Sequence, residues 1–173
     1  MDFFETVQSR HSVRDYLPRE VEEEKLTKIL TAVNNAPSAG NLQSYDVVLV
    51  KDEATKSALA AAAFGQRFIV QAPVVLVFCA NRIRGGSKYK ERGADLYAVQ
   101  DATIAAAYCQ LAATAQELST CWVGAFNPDT VAEAIGITTS ITPVAIIPIG
   151  YAFQQPSPTP RRALSDLVHE GNY

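Results

Sequence analysis

Residues 102–116 form an unbroken run of 15 positions without a charged side chain. They lie in the middle of a longer segment, residues 95–118, which is predicted to be a helix with apolar residues on nearly every face. The run is shorter than the about 20 apolar residues that a membrane-spanning helix requires. A chain of this size has few ways to bury every face of such a helix, so we expect the helix to form the core of a dimer.

The composition agrees with a single domain whose surface is partly covered. The chain has 173 residues and a mass of 18.7 kDa, so residues 1–173 are expected to form one domain. Charged residues make up only 19%, below the roughly 25% of ordinary soluble domains, which predicts a large subunit interface. The net charge of -3 provides no overall basic field, and no nucleic-acid partner is expected.

Predicted helices and strands alternate along the chain. Apolar spacing and capping residues predict helices at residues 22–35, 52–64, 95–118 and 127–136. Short apolar runs predict strands at residues 45–50, 74–79, 121–126 and 144–151. Residues 82–92 are polar, with two adjacent glycines and five basic side chains, and are predicted to form a loop. The alternation indicates a layered α/β or α+β fold.

The spacing of the cysteines and the absence of several known motifs exclude some kinds of functional site. Cys79, Cys109 and Cys121 are an odd number without a CxxC pair, which favours buried free thiols over disulfides. No basic segment followed by an apolar run occurs at the N-terminus, and a cytoplasmic protein without a membrane partner is expected. The patterns GxGxxG, GxxxxGK[ST], GxSxG and HExxH are missing, and neither histidine has metal-ligand spacing, so no metal is predicted.

Residues 10–16, with the sequence RHSVRDY, are a candidate anion-binding segment. In an extended backbone, Arg10, Ser12 and Arg14 lie on one side because the side chains of a strand alternate. Two guanidinium groups and a hydroxyl would then converge, and guanidinium groups suit the oxygens of a phosphate. A solvated basic turn is the alternative.

Residues 35–43, with the sequence NAPSAGNLQ, are a second candidate. Small residues allow the backbone to approach a planar ligand closely, and Asn41 and Gln43 offer both donors and acceptors. The alternative is an ordinary loop at the end of a helix.

Seven short motifs together resemble the nitroreductase family. They occur in the family's order at residues 10–16, 36–43, 65–68, 72–75, 122–126, 143–151 and 160–164. The resemblance implies an α+β fold with a mixed, mainly antiparallel sheet flanked by helices. It also implies an intertwined homodimer that builds two flavin sites at its interface, with FMN as the cofactor.

The N-terminal motif and the loop match family positions that contact FMN. By this resemblance, Arg10 and Ser12 contact the phosphate and the ribityl chain, and Arg14 is the cation beside the flavin N1 and C2 carbonyl. His11 contributes backbone groups in the same segment. The loop that the other subunit places against the isoalloxazine ring corresponds to Pro37, Ser38, Ala39 and Asn41.

Later motifs supply the remaining contacts that the resemblance implies. Gln66 matches a polar contact position. Gly124 and Ala125 match the backbone that passes over the flavin, with an N–H near N5. Arg161 and Arg162 match a terminal basic position that closes on the phosphate.

The activity implied by the resemblance is that of an FMN-dependent oxidoreductase. NAD(P)H would reduce the flavin and leave, and a small electron-poor acceptor such as a nitroaromatic or a quinone would then bind over the same ring face. The flavin carries the chemistry, so no catalytic side chain is expected beyond the electrostatic contribution of Arg14. A flavin-consuming or oxygen-using relative and a non-enzymatic FMN-binding protein are the alternatives.

The basic segment, residues 82–92, leaves three interpretations open. The segment from Asn81 to Asp95, which contains it, is too short for the helical excursion that covers the active site in longer family members, so the acceptor is not predicted. Its cations could bind a phosphate of NADPH or an acidic electron-transfer protein such as ferredoxin. The third interpretation is a solvated loop.

Overall fold

The structure is a computed structural model that describes residues 1–137, 140–157 and 159–172. Its α-helices are α1 (Phe3–Ser9), α2 (Glu23–Asn34), α3 (Glu53–Ala62), α4 (Phe68–Gln71), α5 (Arg82–Arg92), α6 (Ala98–Ala115) and α7 (Pro128–Ile135). Its strands are β1 (Tyr45–Val50), β2 (Val74–Asn81), β3 (Ser119–Thr120) and β4 (Ile141–Gly150). Short 3₁₀ turns occur at Ala39–Asn41 and Leu164–Asp166, and a π-helical turn, Gly93–Tyr97, leads into α6.

The four strands form one sheet in the order β1-β2-β4-β3, and each pair of neighbours is antiparallel. A parallel bridge between Ser12 and Thr120 adds the N-terminal segment to the edge of the sheet. The result is the mixed, mainly antiparallel sheet that the resemblance implies. At one end of the sheet Val74 lies opposite Ile149, and at the other end Asn81 lies opposite Ile141.

Helices cover both faces of the sheet. Alternate residues of β2 point to opposite faces, and all of them from Val74 to Ala80 are buried. Val75 and Val77 pack into a cluster that includes residues of α3, α4 and α7. Leu76 and Phe78 pack into a second cluster that includes residues of α2 and α6. The central strands are therefore buried on both sides, which explains why their sequences are continuously apolar.

The sequence predicted most elements, and it was wrong about two of them. The strand predicted at residues 121–126 is instead the two-residue strand β3 immediately before it. Val123 joins the sheet only through a single bridge to Ile146. Cys121 and Val123 are nevertheless buried, so the apolar run reflects burial rather than continuous strand pairing.

The loop predicted at residues 82–92 is the helix α5. The Asn81 side chain caps it by accepting a hydrogen bond of 3.0 Å from the Arg84 N–H. The two glycines that suggested a loop serve close packing. A Cβ added to Gly85 would lie 2.3 Å from the Gly93 carbonyl oxygen, so only glycine allows α5 to lie this close to the π-helical turn.

The helix α6 is buried on the side that faces the sheet and open on the other. Ala102, Ala105 and Cys109 are fully buried, whereas Val99 and Tyr108 are 37% and 39% exposed. Phe3 and Phe4 of α1 are 64% and 75% exposed. One copy of the chain therefore leaves apolar residues of both helices uncovered. Among the described residues, no helix combines the length and the apolar character that crossing a membrane requires.

Cys79, Cys109 and Cys121 are free and buried, which confirms the predicted buried thiols. Burial raises the pKa of the Cys79 and Cys109 thiols to about 12, and a nearby carboxylate, Asp46, adds to the effect at Cys79. Thiolate is the reactive form, so we expect the native protein not to react with a thiol reagent such as DTNB over minutes at about pH 8. The protein unfolded in guanidinium chloride should expose three thiols per chain. Rapid labelling of the folded protein would contradict the burial.

Candidate functional site

The N-terminal segment, residues 10–17, is held along the sheet by backbone hydrogen bonds. The Val13 N–H donates to the Thr120 carbonyl at 2.9 Å, and the Leu17 N–H donates to the Tyr151 carbonyl at 2.8 Å. Val13 is buried, and its neighbours Ser12 and Arg14 are exposed. The extended backbone therefore presents the hydroxyl and the guanidinium group on the same open side.

The buried side chain of Tyr16 holds this segment in place. Its buried hydroxyl donates to the Val13 carbonyl at 2.9 Å and lies 3.3 Å from the Pro148 carbonyl. Burial raises the pKa of Tyr16 well above its ordinary value, so the hydroxyl keeps its proton and remains a donor. Tyr16 belongs to the N-terminal motif, but sequence reasoning assigned it no role, because a contact with β4 is not visible in a local pattern.

The side chains of Arg10, Ser12 and Arg14 lie close enough to one buried thiol to influence its pKa. Burial raises the pKa of Cys121, and Arg14, the Ser12 hydroxyl and Arg10 partly oppose that rise. The structure thus brings the three N-terminal residues to the beginning of the 121–126 segment. The ion pairs of the described residues involve neither Arg10 nor Arg14. Two cations beside a hydroxyl, without a carboxylate partner in the described chain, are the groups that binding of an anion requires.

The backbone at Gly124 and Ala125 is open to a ligand. Both residues are exposed, and in the described part of the chain neither N–H donates a hydrogen bond. Gln66 donates its amide to the Ala125 carbonyl at 3.1 Å and to the Ala63 carbonyl at 3.0 Å. Gln66 therefore fixes the orientation of this segment, and the N–H groups stay available for an acceptor.

The side chains of the other candidate residues make no hydrogen bond to this group among the described residues. His11 borders a separate cleft of about 430 Å³, which it shares with Thr114, Glu117 and Gln155. Arg161 and Arg162 are exposed in the C-terminal tail. The backbone hydrogen bonds of the tail that follow them join near neighbours, such as the Asp166 N–H and the Ala163 carbonyl.

Within the second candidate, residues 35–43, the loop of residues 37–43 is anchored to α6 by a carboxylate. Asp101 is 2% exposed and accepts hydrogen bonds from the Ala39 N–H at 2.9 Å and the Ser44 N–H at 3.2 Å. The Ser38 hydroxyl accepts from the Gln43 N–H at 2.9 Å. Sequence reasoning missed Asp101, although an acid next to a long uncharged run in a buried helix is a signal that it has a partner.

The opposite side of the loop is covered by α5. Arg84 donates its Nε–H to the Leu42 carbonyl. Gly40 has a positive φ of 57°, and a Cβ added to it would lie 2.5 Å from the Tyr89 hydroxyl and 3.0 Å from Lys88 Nζ. The loop is therefore held by both α5 and α6, and a side chain at Gly40 would be strained at this φ and would require the Tyr89 and Lys88 side chains to move.

The N-terminal segment and the loop lie near opposite ends of the sheet. The segment bonds to Thr120, whose strand partner Ile149 lies opposite Val74, at the beginning of β2. The loop leads into Tyr45, which lies opposite Ala80, near the end of β2. The strand rise of about 3.4 Å per residue separates these two points by about 20 Å. Within one chain, the points at which the two groups join the sheet are therefore farther apart than a single flavin ring extends.

The nitroreductase family model matches residues 7–69 and 61–151 of this chain. The chain belongs to the nitroreductase family. This confirms the resemblance recognised in the short motifs. The matched residues include the N-terminal segment, the loop of residues 37–43 and the Gly124–Ala125 backbone.

Individual nitroreductase relatives cover nearly the whole chain. A protein named NADH dehydrogenase from Thermus thermophilus is 32% identical over 186 residues, covering 92% of this chain and 91% of the relative. A Bacillus subtilis protein named FMN reductase (NAD(P)H) is 29% identical over 185 residues, covering 99% of this chain and 74% of the relative.

Solved structures of the same family have the same fold. The NADPH:FMN oxidoreductase of Vibrio harveyi, solved in complex with NAD⁺, superimposes with a TM-score of 0.91 at 26% identity, covering 99% of this chain and 77% of that one. Nitroreductase A of Vibrio parahaemolyticus gives a TM-score of 0.92 at 28% identity, covering 100% and 77% of the two chains. These similarities confirm the predicted fold class.

Proposed function

We propose that the protein is an FMN-dependent oxidoreductase that takes electrons from NAD(P)H and passes them to a small electron-poor acceptor, such as a nitroaromatic or a quinone. The observation that carries this proposal is the pair of arginines, Arg10 and Arg14, beside the Ser12 hydroxyl without a carboxylate partner among the described residues. The names of the relatives, FMN reductase (NAD(P)H) and oxygen-insensitive NADPH nitroreductase among them, support the same cofactor, donor and activity.

The donor set fits FMN. A phosphate requires cations and hydroxyl donors, which Arg10 and Ser12 provide, with Arg161 and Arg162 of the tail as further contacts. A flat ring requires small residues and exposed backbone, which Pro37, Ser38, Ala39 and Asn41 provide on one side and Gly124 and Ala125 on the other. When bound, FMN supplies the electron-transfer chemistry that these side chains lack.

The chain's own residues then have separate tasks. Arg14 would offset negative charge near the N1 side of a bound flavin ring. The free N–H groups of Gly124 and Ala125 would donate to the ring edge, and Gln66 would hold their segment in place. His11 contributes backbone to the segment, since its side chain borders a different cleft.

We infer that two copies of the chain share each site. The loop and the N-terminal segment lie about 20 Å apart along β2, so a partner must bring its loop to the segment. The exposed apolar residues of α1 and α6 supply the surface for this association. Residues 1–173 act as one FMN-binding domain in each copy, and its three free thiols suit the reducing cytoplasm.

The activity is tested by an absorbance spectrum of the FMN-loaded protein under anaerobic conditions. We expect addition of NADH or NADPH to bleach the flavin band and addition of a quinone to restore it. Repeated turnover with donor and acceptor would establish an enzyme. A yellow protein that neither donor bleaches would contradict the proposal.

The shared site is tested by mixing two inactive variants. Arg14→Gln damages the N-terminal segment, and Gly40→Val damages the loop, because a β-branched residue is strained at a positive φ and displaces the Tyr89 side chain. Each homodimer has two damaged sites, but a mixed dimer has one intact site. After subunit exchange we expect about a quarter of the wild-type activity, since half of the dimers are mixed and each has one working site.

The control is the double variant, which carries both substitutions in one chain, mixed with either single variant. No intact site can form in that mixture, and activity should stay at the level of the single variants. If exchange is demonstrated by mass and activity does not return, the shared site is wrong.

A further inference from the structure

The helix α5 concentrates positive charge beside the loop of residues 37–43. Its only acidic residue is Glu91, and its basic residues are Arg82, Arg84, Lys88, Lys90 and Arg92. Two of the five cations are engaged away from the loop. Arg82 pairs with Asp95, and Arg92 donates its Nε–H to the Tyr97 hydroxyl at 3.0 Å. In the described part of the chain, the remaining cations have no carboxylate partner.

Arg84 and Lys88 share the face of α5 that touches the loop. They are four residues apart, so their side chains lie one above the other on the helix. Arg84 donates to the Leu42 carbonyl, and Lys88 Nζ approaches Gly40. Like charges at this spacing destabilise a helix, and an anion placed between them removes the repulsion. This arrangement is therefore suited to a bound anion.

An aromatic pair borders the two cations. The rings of Tyr89 and Tyr97 meet edge to face with centroids 5.2 Å apart, and Lys88 Nζ lies 5.3 Å from the centroid of the Tyr89 ring. Both tyrosines are partly exposed. Cations can bind a phosphate, and a partly exposed aromatic surface can pack against an adjacent base. A phosphate and a base are both parts of a nucleotide.

We propose that Arg84 and Lys88 bind the 2′-phosphate of NADPH, which NADH lacks. This inference rests on the proposed function, because it places the donor at the loop that faces the flavin. A phosphate monoester is small enough to sit between two cations one helical turn apart. An acidic protein would be expected to engage all five cations of α5, two of which are already held by Asp95 and Tyr97.

The first test measures binding without electron transfer. Calorimetric titration of the FMN-loaded protein with adenosine 2′,5′-bisphosphate supplies the phosphate on a fragment of the donor, and AMP supplies the matched ligand without it. We expect Lys88→Gln to weaken binding of the bisphosphate by about 5- to 10-fold, the loss of one charge-assisted contact at a partly solvated site, and to leave AMP unchanged. Lys90→Gln makes the same charge change at the kink of α5 and should have less than a twofold effect.

The second test compares donors. Lys88→Gln should raise the KM for NADPH by a similar factor and change the KM for NADH by less than twofold. Equal effects on the two donors, equal effects of Lys88→Gln and Lys90→Gln, or no effect on the bisphosphate would overturn the proposal. The proposal would also be overturned if Lys88→Gln kept its affinity for NADPH but lost electron transfer to an acidic protein such as ferredoxin. If neither donor bleaches the flavin, the proposed activity fails, and the bisphosphate titration still decides the phosphate site.

Discussion

Replacing Arg14 with glutamine should slow bleaching of the flavin by NAD(P)H about 100-fold at saturating FMN. The guanidinium group lies near Cys121, on the open side of a segment whose backbone Tyr16 and Thr120 hold in place. A positive charge placed in this way stabilises negative charge that develops during reaction, and removal of one such donor typically costs about 100- to 1,000-fold in rate. The same variant should have a more negative flavin midpoint potential.

Stopped-flow absorbance under anaerobic conditions measures the rate, and a titration with a redox dye measures the potential. Saturating FMN separates loss of the charge from loss of the cofactor. Arg19→Gln is the matched control, because Arg19 lies in the same part of the chain and is exposed like Arg14, but it pairs with Glu22. An exposed ion pair contributes about 1 kcal/mol or less, so the control should keep the wild-type rate. Unchanged rate and potential in Arg14→Gln would contradict the role of Arg14.

Replacing Asp101 with alanine should lower the free energy of unfolding by about 2 to 4 kcal/mol. The carboxylate accepts two backbone hydrogen bonds at the ends of the loop, and the Ser44 N–H is buried. Loss of the carboxylate leaves both donors without a partner. Asp101→Asn should have an intermediate effect, because its amide oxygen can accept one of the two bonds while its NH₂ group faces the other donor.

Urea unfolding of the FMN-free protein measures the stability, at one protein concentration because the folded state is proposed to be a dimer. Glu133→Ala is the control, since Glu133 is exposed on α7 and its loss should change stability by less than about 0.5 kcal/mol. The Asp101 variants should also bind FMN more weakly, because the loop loses its anchor to α6. Wild-type stability in Asp101→Ala would show that the loop does not depend on this carboxylate.

Local patterns predicted the N-terminal segment well. The placement of Ser12 and Arg14 on one side depends only on the alternation of an extended backbone, and the structure shows that alternation around Val13. The prediction of a helix at residues 127–136 also depended only on neighbouring residues. Asn127 caps it and Gly136 ends it in a left-handed conformation.

Contacts between distant residues could not be predicted in this way. Asp101 bonds to residues 57 and 62 positions earlier in the chain, and the sequence contains no local sign of which donors it meets. The sequence of α5 has the composition of a loop. It forms a helix because the Asn81 side chain caps it and because it packs against Gly93. The proposed division of the site between two chains depends on which end of the sheet each segment reaches, and that requires the strand register.

The contact between Gly85 and Gly93 has a consequence for turnover. It packs α5 closely against the π-helical turn at the beginning of α6, and both helices bond to the loop. If one helix moved alone, the contact between the two glycines would break. We therefore expect the loop to act as a wall rather than a lid, so that donor and acceptor exchange proceeds at the speed of ligand dissociation, without a slower step of opening and closing.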